Sequence, residues 1–187
     1  MGCFRMLSSI LAKSDCAACK FCCSFRRTSL WETPVFPAED LEKMQALKPL
    51  ARFRPAGSSG KSYTFDLTAA YHTQDPAEEA PCPFLNPNHG CTLPADLKPF
   101  ECKIWPLRAV RTQKKAESAE TASNIAVALT PTCPAINKVP EEKVRDLAAS
   151  GLGQQILDYA ADHPDIIKEV TPFLSNIIFP EIPSKSE

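Results

Sequence analysis

SDCAACKFCCSF, residues 14–25, sets Cys16, Cys19, Cys22 and Cys23 within eight positions, and what these thiols do decides how the rest of the chain is read. Three readings compete: a disulfide staple, a redox pair, or one end of a metal site. The compartment narrows them. The first residues, MGCFRMLSSILAKS, carry one Arg before the short apolar run MLSSILA, which barely reaches the length of a secretory core and is followed by no small-x-small cleavage pattern. Gly2-Cys3 hints at acylation, but Met6 stands where a myristoylation signal has Ser or Thr. No apolar run approaches the length of a membrane span. The expectation is a cytoplasmic protein with no membrane partner, and in a reducing compartment clustered thiols are more often metal ligands or redox groups than disulfides.

Composition supports an ordinary globular chain. Its 187 residues are 44% hydrophobic and 23% charged, enough to bury a core without covalent staples. A formal charge of -1 gives no field to collect nucleic acid, and pairs such as Arg26-Arg27 and Lys114-Lys115 are too short to change that. The unusual counts are 18 Pro and 9 Cys. Proline in such number predicts many irregular connections, whereas the cysteines demand a chemical explanation.

Outward from residues 14–25, the pattern predicts a small α+β fold. Residues 1–13 can form a short amphipathic helix with Phe4, Leu7 and Leu11 near one face. TPVFPAEDLEKMQALKPL has Pro at a helix start, acids in the first turn and Pro49 as terminator, which predicts a helix over 37–48. KSYTFDLTAAYHT alternates Tyr63, Phe65 and Leu67 with polar partners and reads as a strand. The stretch 81–106 is too interrupted by proline for a long helix or a regular strand, so something else must order it. LRAVRT and NIAVALT read as a β-hairpin with a long polar tip. KVPEEKVRDLAASGLGQQILDYAADHP is helical, with Val144, Leu147, Leu152, Ile156, Leu157 and Tyr159 as its buried face and Gly151 and Gly153 marking a break. The tail DIIKEVTPFLSNIIFPEIP is apolar enough to dock on the body. The organisation expected is a Cys-cluster metal-binding domain over 1–139 and a helical extension over 140–187 packed on it.

Eight cysteines form one pattern: C-x2-C-x2-C-C at 16, 19, 22 and 23, then single residues at Cys82, Cys91, Cys102 and Cys133, with Cys3 left over. Two-residue spacing lets two thiolates converge on one metal while intervening amides donate hydrogen bonds to sulfur, and distant cysteines complete the shell when the chain folds. On a helix, positions 16, 19, 22 and 23 would lie within about 120° of one face. Adjacent Cys22 and Cys23 cannot easily bind the same ion without distortion, so they are expected to differ in role. Buried thiols acting as small hydrophobes can account for Cys133 or Cys3 singly, but not for four in eight positions. A thioredoxin-like role needs a strand before C-x2-C, which the chain lacks.

The order C-x2-C-x2-C-C, then C-P-F-L at 82–85, a Cys after a turn, K-P-x-x-C-K-x-W-P at 98–106 and a late C-P at 133 resembles the YkgJ-like cysteine-cluster family, described as zinc- or iron-chelating, with a relative named for flagellin lysine N-methylation. The resemblance covers residues 16–134. It implies that Cys16, Cys19, Cys22, Cys23, Cys82, Cys91, Cys102 and Cys133 are the eight chelating positions. Lys98 and Lys103 stand where the family usually has Arg, and Trp105 replaces the usual Phe or Tyr before Pro106.

Surplus thiolates and a vicinal pair suit an iron-sulfur cluster, of the 4Fe-4S type, better than one closed zinc site, with zinc the alternative metal. Other readings stay open: a flagellin-type protein-lysine methyltransferase, for which no S-adenosylmethionine site is recognisable, and a structural zinc interaction module. His89, two residues from Cys91, could replace a thiolate, although NPNHG is also a good turn. His72 and His163 read as surface. Lys98, Lys103 and Arg108 flank Cys102 and can balance thiolate charge, while Trp105 reads as a packing lid. The chain has no phosphate-binding glycine loop, G-x-S-x-G or H-E-x-x-H, and names no protein partner or substrate.

Overall fold

In a computed structural model of the chain, the described residues are 10, 19–27, 33–112, 125–130, 133–169 and 177–180. Cys3, Cys16, the predicted helix over 1–13 and the hairpin tip over 113–124 lie outside them. The fold is α+β. Backbone contacts divide the chain into two compact units, one of Leu11–Lys103 and one of Ile104–Glu187 with Met1–Ile10.

The first unit is built on short strands. β1 (Ser24–Arg26) pairs antiparallel with β5 (Glu79–Pro81), so that Phe25 stands opposite Ala80. β2 (Phe36–Pro37), β3 (Phe53–Ala56) and β4 (Ser62–Phe65) form a sheet in the order β2-β4-β3. Proline lacks the N–H a central strand must donate, and here Pro37 and Pro55 both sit on edge strands while central β4 has none. β6 (Leu85–Asn86) and β7 (Gly90–Cys91) make a third, very short hairpin. α1 (Leu41–Leu47) follows a 3-10 turn at Ala38–Asp40, because Pro37 has extended backbone and joins the sheet instead of opening the helix. The predicted helix therefore begins one turn late.

Phe65 is the hub of this unit. Its ring centroid lies 6.2 Å from that of Phe25, 5.8 Å from Phe36, 6.0 Å from Phe53 and 5.9 Å from Phe84. Met44, Leu67, Ala80 and Cys82 complete the cluster, and Cys23 packs against it. The alternation expected of β4 is incomplete. Thr64 is fully buried and avoids an unsatisfied hydroxyl by donating to the Pro34 carbonyl at 2.8 Å.

The second unit holds the predicted hairpin. β8 (Leu107–Arg111) and β9 (Ile125–Leu129) pair antiparallel from Leu107 opposite Leu129 to Arg111 opposite Ile125. The apolar tail supplies both flanking strands: β10 (Lys168–Glu169), parallel to β8, and β11 (Ile177–Phe179), antiparallel to β9 with an irregular register. α2 (Phe100–Ile104) leads in from the proline-rich stretch. α3 (Glu141–Leu147) packs on β11, and α4 (Gly153–Asp162) packs on β8 and β9. Between the helices, Ala148–Leu152 is a π-turn in which Gly151 has φ 119, a backbone that an L side chain rarely adopts, so the predicted glycine break is observed. Val144, Leu147, Leu152 and Ile156 are buried as expected. Leu157 and Tyr159 are half-buried, and Ala148, Gly153 and Ala160 take their place inside. Among the described residues no helix is long and apolar enough to cross a membrane.

Candidate metal centre

The cysteines of the first unit are placed by backbone hydrogen bonds between segments far apart in sequence. In the β1–β5 ribbon, Ser24, Phe25 and Arg26 face Pro81, Ala80 and Glu79. The same register continues at both ends, through Arg27 N to Glu78 O at 3.2 Å and Cys82 N to Cys23 O at 2.8 Å. Cys23 and Cys82 are thus opposite each other at the end of the ribbon. Phe25 and Phe84, each two residues beyond one of these cysteines, are buried in the aromatic cluster and anchor both arms.

The predicted C-P-F-L motif is a β-turn. Leu85 N donates to Cys82 O at 2.9 Å, with Pro83 at the position where its fixed φ suits a turn. Phe84 N–H also points at the Cys82 sulfur, an arrangement that stabilises thiolate. The chain then forms β6, reverses, and returns in β7 with Cys91 opposite Leu85. The reversal is held by Asn86 Oδ1, which accepts from Asn88 N at 2.8 Å and His89 N at 3.0 Å, and by Gly90 at φ 82. His89 is exposed in this turn.

Lys20 joins the two cysteine segments. It adopts left-handed backbone at φ 53, its carbonyl accepts from Cys23 N at 3.0 Å, and its ammonium donates to the Pro87 carbonyl. Cys102 comes from α2, whose first turn hangs on Pro99 O, the acceptor for Cys102 N at 3.0 Å and Lys103 N at 3.1 Å. The neighbouring Glu101 is buried and accepts from Val35 N at 2.6 Å, tying this helix to the segment just before β2. Neither Lys20 nor Glu101 stood out in the sequence. Their partners lie in other segments, and no local pattern encodes them.

Electrostatics shows which thiols share a neighbourhood. Burial pushes the Cys82 thiol up to about 12; the Phe84 N–H acts in the opposite direction, and negative charge on Cys102, Cys91 and Cys22 raises it further. Cys22, Cys91 and Cys102, each from a different segment, therefore stand within charge-interaction range of Cys82. Cys82 is buried, Cys19, Cys22, Cys23 and Cys102 are half-buried, and Cys91 is exposed. None of these, nor Cys133, is in a disulfide. Cys133 belongs to the second unit, where it is buried and its carbonyl accepts from Asn137 N at 3.2 Å. Arg108 is buried in that unit with its guanidinium 4.5 Å from the Trp105 ring centre. Trp105 therefore stacks with a cation.

The grouped donors are thiols, the chemistry that suits zinc or iron-sulfur binding. Among the described residues no three His, Cys, Asp or Glu side chains form a group able to hold a metal ion. What fold and site together define is an α+β protein with a cluster of cysteine thiols at the end of a β-ribbon. Comparison with protein-family models, with curated proteins and with solved structures found no match.

Proposed function

We propose that this is a cytoplasmic metal-binding protein of the YkgJ-like kind that chelates a 4Fe-4S cluster, with zinc as the alternative metal, through cysteines drawn from the set Cys16, Cys19, Cys22, Cys23, Cys82, Cys91, Cys102 and Cys133. The observation that supports the reading is that Cys22, Cys91 and Cys102, from three other segments, lie near enough to act on Cys82, whose sulfur is faced by the Phe84 amide. Clustered thiolates repel one another, and a bound cation offsets that repulsion. A cluster held there would supply electron transfer or a structural tie. The chain's own part is to hold the sulfurs through the Cys23–Cys82 ladder, the Lys20–Pro87 clasp and the Glu101–Val35 bond.

Anaerobic purification followed by metal and sulfide analysis and a visible spectrum tests the reading. About four iron and four sulfide per chain with brown absorbance is the expected result. Stoichiometric zinc without iron or sulfide would replace the cluster by the alternative metal. Protein that takes up neither after reconstitution would overturn chelation altogether.

A further inference from the structure

The chain's formal charge of -1 hides an uneven distribution. From Lys43 to Phe65 the sequence carries Lys43, Lys48, Arg52, Arg54 and Lys61 and no acid, and in the fold this run is the end of α1, the turn after it and the β3–β4 hairpin. Glu39, Asp40 and Glu42 lie at the opposite end of α1, where Asp40 pairs with Lys43 at 3.7 Å. The turn itself is apolar. Among the described residues the large hydrophobic side chains left exposed are Phe21, Leu47 and Leu50, and two of the three lie here, Leu47 at 50% and Leu50 at 92%. Single exposed leucines are common on protein surfaces, but this one is held out by a built turn. Ala51 N donates to Lys48 O at 2.9 Å, which closes a β-turn with Pro49 and Leu50 at its centre. The Gln45 side-chain amide, on the last turn of α1, donates to the Pro49, Ala51 and Lys48 carbonyls at 2.7, 3.1 and 3.4 Å. Ala51 is buried behind the tip, while Lys48 and Arg52, two residues to either side of Leu50, are exposed. Asp66 borders the patch through its N–H, which donates to Arg52 O at 2.9 Å, and its carboxylate accepts from Thr68 N at 3.0 Å.

We infer that this tip docks the protein on an anionic lipid surface, with Leu47 and Leu50 entering the boundary between headgroups and acyl chains while Lys48 and Arg52 meet lipid phosphates. Leucine gains by leaving water, and each cation near an anionic leaflet adds an attraction that salt screens. A turn already fixed by Pro49 and by the Gln45 amide loses little conformational freedom on insertion. A protein partner would need an apolar pocket rimmed with acids to receive a leucine that projects between two cations. A bilayer surface offers both chemistries at every point. Contact of this kind needs no membrane-spanning helix, and it is independent of what the cysteines hold.

The experiment sediments the full chain with vesicles of phosphatidylcholine alone and with vesicles of phosphatidylcholine mixed with phosphatidylglycerol. Binding to the anionic vesicles that falls as salt is raised, with little binding to the neutral ones, is the expected result. Leu50→Ser should lower the partition about tenfold, and Lys48→Glu about tenfold or more. Both positions are exposed, and circular dichroism verifies that the variants fold. Leu50→Trp should bind at least as well as wild type, and the added indole emission should shift to the blue on anionic vesicles. No binding to anionic vesicles, equal binding to both kinds, or binding that Leu50→Ser leaves unchanged would each overturn the inference. Binding to polyglutamate by protein that ignores vesicles would assign the tip to an acidic protein partner and would overturn it as well.

Discussion

Glu78 accepts four hydrogen bonds: from His72 N at 2.5 Å, Thr73 N at 2.8 Å, the Thr73 hydroxyl at 2.8 Å and Arg27 Nη2 at 3.2 Å. Those donors, led by the His72 amide, hold its carboxyl down to about 2 from the ordinary 4.5. The unfolded chain takes up this proton near pH 4.5 and the folded chain only near 2, so falling pH draws the equilibrium toward the unfolded state across that interval. Acid titration of urea midpoints should show wild type losing stability between pH 4.5 and 2, and Glu78→Gln a flatter profile there; equal slopes would show that the carboxylate does not hold the ribbon's outer end. The sequence contains no hint of this, because EE at 78–79 reads as solvated charge and the donors come from a loop and from Arg27 on the opposite arm. Phe65 is different. A phenylalanine in an alternating stretch announces a core position, and only its rank as the hub of four rings needed the fold.

At the level of elements, helix periodicity and glycine punctuation were legible, since both act over one or two turns. The GLG of 151–153 illustrates the limit. Gly151 is needed for its backbone, which local sequence implies, whereas Gly153 is needed for space. A Cβ on Gly153 would stand 2.5 Å from Phe179 Cγ and 2.9 Å from Ala148 O. The backbone of α4 therefore approaches β11 at a place where any side chain would force them apart. Gly153→Ala should lower stability by about 1–3 kcal/mol, measured by chemical denaturation, even though alanine is the better helix former. A gain in stability would mean that the Phe179 ring simply turns aside. The prolines were read correctly as interruptions, yet 81–106 is more ordered than its composition implies. It holds β6, β7 and α2, with Pro94 and Pro99 supplying carbonyl acceptors at successive turns.

For the whole molecule, the two compact units carry unequal shares of the cysteines: among the described residues, Cys19, Cys22, Cys23, Cys82, Cys91 and Cys102 fall in Leu11–Lys103, and Cys133 in the other. On the chelation proposal, stripping metal should loosen the first unit far more than the second. Hydrogen exchange before and after chelator treatment should show amides of 20–26 and 79–91 losing protection while those of β8 and β9 keep theirs; uniform loss, or none, would contradict it. The α+β class, the hairpin of β8 and β9, the helical region after 140 with its glycine break, and the cysteine pattern itself were determined by the sequence alone, because periodicity, propensity and spacing are properties of neighbouring residues. Only the tertiary structure decided that the Cys23 carbonyl accepts from the Cys82 amide, that Lys20 clasps Pro87, that Glu101 anchors at Val35, and that the apolar tail ends as strands beside β8 and β9. Each of these is a pairing of distant segments, chosen by register and by the burial of a shared aromatic core. SDCAACKFCCSF names the thiols; the ribbon that follows it decides which segments they lie beside.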